Sequence, residues 1–229
     1  MQDKQPIKAI VWDLDGTLIH FKIDYLRARK TAIEILRKYG VPKNLLTIKI
    51  SILENMQSAR EFFEKEGFTK EKINQIITEV DTEISKIEYE AAINAKIING
   101  IDQVLEFAKN KNLKQAIFTF NTQKNAKISL NKTNILNYFN IIVGRDNITN
   151  LKPHPDHLNY ICKKLNVNPN ELLVIGDNVR DIEAAINIGA YSIAMHTKLA
   201  KIETLKIADK IIKENEIPLR LIEEIGKLL

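Results

Sequence analysis

The sequence predicts an α/β protein, a doubly wound parallel sheet with an all-helical domain inserted after the first strand. Short apolar runs alternate with segments of helical periodicity, which is typical of a parallel sheet covered by helices on both faces. One long stretch near the N-terminus breaks this alternation and contains helical patterns alone. We therefore expect two domains, an α/β core of residues 1–20 and 95–229 and an inserted helical domain of residues 21–94.

The candidate strands of the core are five apolar runs, at residues 7–12, 115–118, 141–143, 172–175 and 191–194. Four segments with helical spacing are the candidate helices, at residues 102–109, 125–136, 156–165 and 181–188. Open α/β sheets bind their ligands at the carboxyl ends of their strands. The residues that follow each apolar run are therefore the candidates for function.

Three helices are predicted for the inserted stretch. The first spans residues 25–36, the second carries apolar residues from Leu45 to Phe63, and the third follows the candidate N-cap residue Thr69. No convincing strand pattern lies between them. This composition indicates a second small domain rather than an extension of the sheet.

The composition is that of a packed protein with an anionic partner. The chain has 229 residues, of which 45% are hydrophobic and 28% charged, and its formal net charge is +5. The basic residues are mixed with acidic ones along the whole chain, so we expect a small anion as the partner and no nucleic acid.

The cysteine count and the apolar runs predict a cytoplasmic protein. Cys162 is the only cysteine, so an internal disulfide is excluded and a reducing compartment is the simpler expectation. The apolar runs near the N-terminus are too short for a signal peptide or a membrane span, and we expect no membrane partner.

The first apolar run ends in two carboxylates, Asp13 and Asp15, followed by Gly16. If the strand geometry persists, the two side chains point the same way with their Cα atoms about 6 to 7 Å apart. Carboxylates this close repel each other unless a cation or a shared proton compensates. A turn in which the aspartates cap the backbone is the alternative. A calcium loop is excluded, because Leu18 and Asp24 occupy the positions of its glycine and glutamate.

A second acidic strand end follows the run at 172–175. Asp177 comes just after this run, and Asp181 would share one helix face with it, four residues later. A helix cap is the simpler role for Asp177 alone. Two acidic strand ends at the same sheet edge, however, provide the hard oxygen ligands that Mg2+ prefers.

Two further strand ends offer groups that suit an anion. Thr119 and Asn121 follow the run at 115–118, and Lys152, held next to a proline, follows the run at 141–143. Each has an ordinary alternative as a turn cap or a solvated surface charge. A lysine stiffened by proline near the same edge is nevertheless well placed to meet an anion.

The order and spacing of these motifs resemble those of the haloacid dehalogenase-like hydrolases, and the matching residues are Asp13-Leu14-Asp15-Gly16-Thr17, Thr119, Lys152-Pro153 and Gly176-Asp177 with Asp181. The resemblance extends from about Lys8 to the C-terminal region and implies a Rossmann-like core. The helical insert is similar to the cap of the phosphoglycolate phosphatase and β-phosphoglucomutase branch.

The resemblance implies distinct roles for the first two aspartates. Asp13 would be the nucleophile that forms an aspartyl phosphate. Asp15 would protonate the leaving alkoxide and then deprotonate the attacking water. Because dehalogenating relatives lack an acid/base at that position, Asp15 favours phosphate ester chemistry over carbon–halogen hydrolysis.

The resemblance also implies a metal site. Mg2+ would be held by Asp13, the backbone carbonyl of Asp15 and Asp177. Asp181 would either complete the metal shell or orient Lys152.

The resemblance further implies a phosphate site. Thr119 and Lys152 would bind the remaining phosphate oxygens, and Asn121 is a further candidate. Relatives often carry a small or polar residue directly after this threonine, whereas Phe120 stands here. Its ring would either narrow the pocket or point into the core.

His154 and His157 are three residues apart but lack a third soft ligand nearby, so we expect a helix start there and no zinc site.

The predicted function is that of a magnesium-dependent phosphatase acting on a small phosphorylated metabolite, as a monomer or homodimer. Two alternatives stay open at this point. One is a phosphomutase of the β-phosphoglucomutase type, and the other is a non-catalytic binding protein with the same fold.

Overall fold

The computed structural model describes residues 5–20, 22–197 and 202–229. The chain forms two compact units, one of Met1–Phe21 with Ala92–Leu229 and one of Lys22–Ala91. Strands are confined to the first unit, and the second unit is helical.

The strands of the described chain are β1 (Ala9–Trp12), β2 (Ile19–His20), β3 (Lys96–Ile97), β4 (Lys114–Phe118), β5 (Ile141–Val143), β6 (Leu172–Gly176), β7 (Tyr191–His196) and β8 (Lys210–Lys213). Six of them form a parallel sheet in the order β5-β4-β1-β6-β7-β8. The other two, β2 and β3, pair antiparallel in a small separate sheet. The order of the large sheet reverses beside β1, and such a switch point is where doubly wound sheets bind ligands.

The helices of the described chain are α1 (Tyr25–Lys38), α2 (Ile52–Lys65), α3 (Lys70–Ala92), α4 (Ile101–Asn110), α5 (Gln123–Lys132), α6 (Asp156–Leu165), α7 (Val179–Ile188), α8 (Ile202–Leu205) and α9 (Leu219–Gly226). None of them combines the length and apolar character that crossing a bilayer requires.

The large sheet is buried on both faces, because successive side chains of a strand point to opposite sides. Ile10 and Trp12 of β1 pack into one apolar layer with α4, α5 and α9. Ala9 and Val11 pack into the other layer with α6 and α7. The doubly wound α/β fold is thereby confirmed.

The helical unit has its own apolar core between α1, α2 and α3, in which Phe63 is fully buried. Its helix starts follow local capping chemistry. Asp24 accepts a hydrogen bond from the Arg27 amide (2.9 Å), and Ser51 forms a reciprocal capping box with Glu54.

Two predicted helix boundaries are wrong. The helix expected at residues 125–136 ends at Lys132, because Asn134 takes a left-handed backbone conformation (φ 59°) that no helix continues through. The second helix of the insert begins at Ile52 rather than near Leu45, which lies in a short 3-10 turn. Strand β8 and helix α9 were not predicted.

Candidate active site

The site lies at the carboxyl edge of the sheet, where three adjacent strands end together. Trp12 of β1 pairs with Ile117 of β4 on one side and with Ile175 of β6 on the other. Because the strands are parallel and in this register, the chain leaves them at nearly the same level. The loops after β1, β4 and β6 therefore meet.

Three aspartates form a carboxylate cluster at this edge. Oxygen atoms of Asp13, Asp177 and Asp181 all lie within 4.8 Å of one another. Asp13 is buried at 6% exposure and Asp181 is fully buried. Asp181 accepts a hydrogen bond from the Asn178 amide through Oδ2 (2.9 Å), which joins the cluster to the start of α7.

Lys152 is the cation of the cluster and is only 3% exposed. Its Nζ lies 2.5 Å from Asp13 Oδ1 and 2.7 Å from Asp181 Oδ1, and it donates to the Phe118 carbonyl at 3.2 Å. The peptide bond from Lys152 to Pro153 is cis. The loop after β5 thus brings the lysine predicted from sequence into direct contact with the predicted nucleophile.

The pKa values of the cluster reflect a shortage of positive charge. Burial raises the pKa of Asp13 to about 7, although Lys152 opposes the shift. Burial and repulsion from Asp13 and Asp181 raise the pKa of Asp177 to about 8. Burial by itself would lower the pKa of Lys152, but attraction to Asp13 and Asp181 outweighs it and raises that pKa. One lysine therefore does not neutralise three carboxylates.

Two glycines allow the carboxylates to lie against the backbone. Gly16 has a left-handed φ of 87°, and a Cβ atom there would collide with the carboxylate of Asp177. A Cβ atom on Gly176 would collide with Asp181. A buried cradle of oxygen donors with excess negative charge fits Mg2+.

Asp15 lies outside this cluster of three. Its Oδ2 accepts a hydrogen bond from Nδ2 of Asn121 at 2.7 Å. The backbone N–H of Asn121 donates to Oγ1 of the fully buried Thr119 (3.0 Å). The two aspartates at the end of β1 therefore have different partners, Lys152 for Asp13 and Asn121 for Asp15.

The ring of Phe120 borders the site and is half-buried. Lys152 Nζ lies 5.1 Å from its centroid, and Arg180 Cζ lies 5.8 Å from it. Arg145 donates from Nη1 to the Phe120 carbonyl at 2.8 Å. The sequence allowed the ring either to narrow the pocket or to point into the core. In the structure the ring lies beside Lys152, at the pocket.

His157 is fully buried behind the site. Its Nε2 lies 3.1 Å from the Val143 carbonyl, and its ring meets that of Phe118 edge-on at 5.6 Å. Burial lowers the pKa of His157 to about 4, so the ring is neutral. His154 is exposed, with Nδ1 3.4 Å from Asp156 Oδ2.

Sequence reasoning did not identify Arg145, Arg180 or His157 as neighbours of the site. Arg180 occupies a variable position between Asp177 and Asp181, and the other two lie outside the matching motifs. An isolated basic residue is normally a solvated surface charge. No sequence signal indicated that the two arginines border Phe120.

A doubly wound sheet with a carboxylate cluster and a buried lysine at its carboxyl edge defines an α/β enzyme. The family model of the haloacid dehalogenase-like hydrolases matches residues 10–195, and the chain belongs to this family. The resemblance drawn from the motifs is confirmed.

Curated relatives with similar sequences are named as phosphatases. A phosphorylated carbohydrates phosphatase of Thermotoga maritima is 27% identical over 194 residues, which cover 80% of this chain and 82% of that protein. A phosphoglycolate phosphatase of Nitrosospira multiformis is 25% identical over 199 residues, which cover 81% of this chain and 82% of that protein.

A solved structure of β-phosphoglucomutase from Clostridium difficile has a similar fold. It is 26% identical, the TM-score is 0.70, and the match covers 96% of this chain and 97% of that chain.

Proposed function

We propose that this protein is a magnesium-dependent phosphatase that hydrolyses a small phosphorylated metabolite through an aspartyl phosphate on Asp13. The observation that carries the proposal is the buried cluster in which Asp13 meets Asp177, Asp181 and Lys152 at the carboxyl edge of the sheet. The names of the curated relatives support a phosphoric monoester as the substrate class.

Asp13, Asp177 and the backbone carbonyl of Asp15 would hold Mg2+. When bound, the ion would offset the repulsion between these carboxylates and a phosphoryl group and would polarise a phosphoryl oxygen. Asp181 forms an ion pair with Lys152 through Oδ1 and accepts a hydrogen bond from the Asn178 backbone amide through Oδ2. We therefore assign Asp181 to positioning Lys152.

In the first step a carboxylate oxygen of Asp13 attacks phosphorus, and the bond from phosphorus to the ester oxygen breaks. Asp15 donates a proton to that oxygen as it leaves. Lys152 and the hydroxyl of Thr119 hold phosphoryl oxygens, as charge shifts among them in the transition state.

In the second step Asp15 takes a proton from water, and the resulting oxygen attacks the phosphorus of the aspartyl phosphate. Inorganic phosphate leaves and the Asp13 carboxylate is restored. Asn121 was predicted to bind phosphate, but its amide donates to Asp15. We assign Asn121 to holding Asp15 for both proton transfers.

Several expectations from the sequence stay predictions. One is the division into a core of residues 1–20 and 95–229 and a cap of residues 21–94, together with the cap role itself. The others are the cytoplasmic location and the monomeric or homodimeric state.

Phosphate release from a panel of phosphate esters tests the proposal. The native protein should release phosphate with Mg2+ and lose this activity in a chelator, and Asp13→Asn should reduce kcat by about a thousandfold or more. Asp156→Asn makes the same chemical change at an exposed position and should leave the rate unchanged. Undiminished release by Asp13→Asn, or no metal-dependent release by the native protein, would overturn the proposal.

A phosphomutase is the second candidate, because the structure resembles that of a β-phosphoglucomutase. In a mutase a second substrate hydroxyl, rather than water, would accept the phosphoryl group from Asp13. Phosphorus NMR of a sugar phosphate incubated with the protein separates the two reactions. Inorganic phosphate as the main product supports the phosphatase, and a positional isomer supports the mutase.

A further inference from the structure

Arg180, in the first turn of α7, lies at the border of the active site without a carboxylate partner. The residue is half-buried, and its backbone amide donates to Asn178 Oδ1 at 3.1 Å. Across the described residues, no carboxylate lies within ion-pair distance of its guanidinium group. Arg27 and Arg220, in contrast, both form ion pairs with glutamates.

Phe120 links this arginine to the phosphoryl site. The guanidinium carbon of Arg180 lies 5.8 Å from the ring centroid, and Nζ of Lys152 lies 5.1 Å from the same centroid. The Phe120 backbone is itself held by Arg145, which donates to its carbonyl. A guanidinium group on an aromatic face is restrained in orientation while its N–H donors stay available.

Arg180 therefore carries an unused positive charge next to a site that is rich in negative charge. Lys152 is occupied by Asp13 and Asp181, whereas Arg180 makes no hydrogen bond or ion pair with them. We propose that Arg180, held on the ring of Phe120, forms a second anion subsite beside the phosphoryl site. The preferred substrate then carries a carboxylate or a second phosphate in addition to its ester phosphate.

This inference rests on the proposed phosphatase function and narrows its substrate class. A guanidinium fork binds two oxygens of a carboxylate or phosphate at once. A substrate with a neutral group at the Arg180 subsite cannot form these charge-assisted hydrogen bonds. We expect it to bind roughly tenfold to a hundredfold more weakly.

Binding of non-hydrolysable phosphonates in the presence of Mg2+ tests the subsite without requiring turnover. Phosphonoacetate carries a carboxylate, ethylenediphosphonate carries a second phosphonate, and hydroxyethylphosphonate is the neutral counterpart. Isothermal titration of the native protein should show tighter binding of at least one doubly anionic ligand than of the neutral one. Which of the two binds more tightly distinguishes a carboxylate subsite from a phosphate subsite.

Arg180→Gln should abolish most of this preference, and Phe120→Leu should reduce it by removing the ring that holds the guanidinium group. Arg180→Lys keeps the charge but not the planar fork, so it should recover only part of the preference. Lys132→Gln is the matched control, because it removes one positive charge from an exposed position in the last turn of α5. That variant should keep the native preference.

Equal binding of the three phosphonates by the native protein would overturn the subsite. An equal loss of affinity for all three ligands in Arg180→Gln would also overturn it, because it would place Arg180 on the phosphoryl group itself. Failure of the native protein to hydrolyse any ester would contradict the phosphatase proposal but would leave this binding comparison interpretable.

Discussion

The two aspartates that end β1 have different contacts, and we propose different functions for them. Asp13 is buried against Lys152, whose ammonium group holds its carboxylate within the acidic cluster. Asp15 accepts a hydrogen bond from the side-chain amide of Asn121. An attacking carboxylate needs a fixed position near cations, and a residue that moves protons needs a donor that orients it. The observed partners match the roles that we propose.

Asn121→Ala should lower kcat, since Asp15 would lose the donor that orients it. We expect a fall of roughly tenfold to a hundredfold with a smaller change in KM. Steady-state kinetics with the best ester of the panel provides the measurement. Asn150→Ala, at an exposed asparagine, should behave like the native protein. A raised KM with unchanged kcat would instead support the phosphate-binding role that the sequence indicated for Asn121.

His157 is a buried neutral histidine, and its burial makes stability depend on pH. Its pKa is about 4 in the fold, against 6.5 as the ordinary value. Between these values the unfolded chain binds a proton that the folded protein does not, so stability falls as pH decreases. The loss amounts to about 2 kcal/mol between pH 7 and pH 5.

The difference between native protein and His157→Gln isolates this effect. The free energy of unfolding of the native protein, relative to that of His157→Gln, should decrease by about 2 kcal/mol from pH 7 to pH 5. Urea unfolding followed through Trp12, the single tryptophan, reports on the α/β unit. His154→Gln, a change at an exposed histidine nearby, should show no such trend. A constant difference between native protein and His157→Gln would show that the pKa of His157 is the same in the fold as in the unfolded chain.

At the scale of elements, the site depends on a glycine in the turn after β1 and on another at the end of β6. Gly16 and Gly176 leave room for the carboxylates of Asp177 and Asp181. The turn after β1 also requires a left-handed conformation at Gly16. Strand ends and turn glycines together make the acidic cluster.

Gly16→Ala should weaken Mg2+ binding strongly, because the new methyl group collides with the Asp177 carboxylate. Gly40→Ala is a matched control, since Gly40 also has a positive φ (96°) but no atom within 4 Å of the added Cβ. Backbone strain should cost each variant about 1 to 2 kcal/mol of stability, and the collision should add to this loss in Gly16→Ala. We expect only Gly16→Ala to reduce Mg2+ affinity, by tenfold or more in calorimetric titration. Equal Mg2+ affinities of the two variants would contradict the idea that Gly16 makes room for the Asp177 carboxylate at the metal site.

At the scale of the whole molecule, the carboxylate cluster couples folding to proton binding. Asp13 and Asp177 have pKa values of about 7 and 8 in the fold, against 3.8 as the ordinary value. Between about pH 4 and pH 8 the metal-free fold therefore binds more protons than the unfolded chain does. The contribution of these groups to stability is present at low pH and is lost as pH rises through this window. The protons belong to the coupled cluster rather than to either residue alone.

Mg2+ should reverse this trend, because it replaces the protons of the cluster. The stability gained on adding Mg2+ should grow with pH between pH 6 and pH 8, by about 1 to 3 kcal/mol per pH unit for one or two released protons. Urea unfolding through Trp12 in chelator and in Mg2+ measures the gain. Asp177→Asn should remove most of it. A gain independent of pH would mean that the cluster is ionised before the metal binds.

Local pattern was sufficient for five strands of the large sheet and for most helices, and insufficient for one edge strand and for the end of α5. Strand β8, with the sequence KIIK, is an edge strand with exposed lysines at both ends, so its apolar signal is too short to stand out. The early end of α5 depends on the left-handed Asn134, and nothing in the helical periodicity indicates that conformation.

By itself the sequence determined the alternation of strands and helices, the helical insert and the acidic, hydroxyl and lysine residues at the strand ends, because periodicity and motif spacing are local properties. Only the tertiary structure decided the partners. Lys152 meets Asp13 across 139 residues, and Asn121 meets Asp15 across 106. The position of Arg180 on Phe120 is likewise a product of strand order and register. Such contacts depend on how distant segments pack, and no periodicity along the chain encodes them.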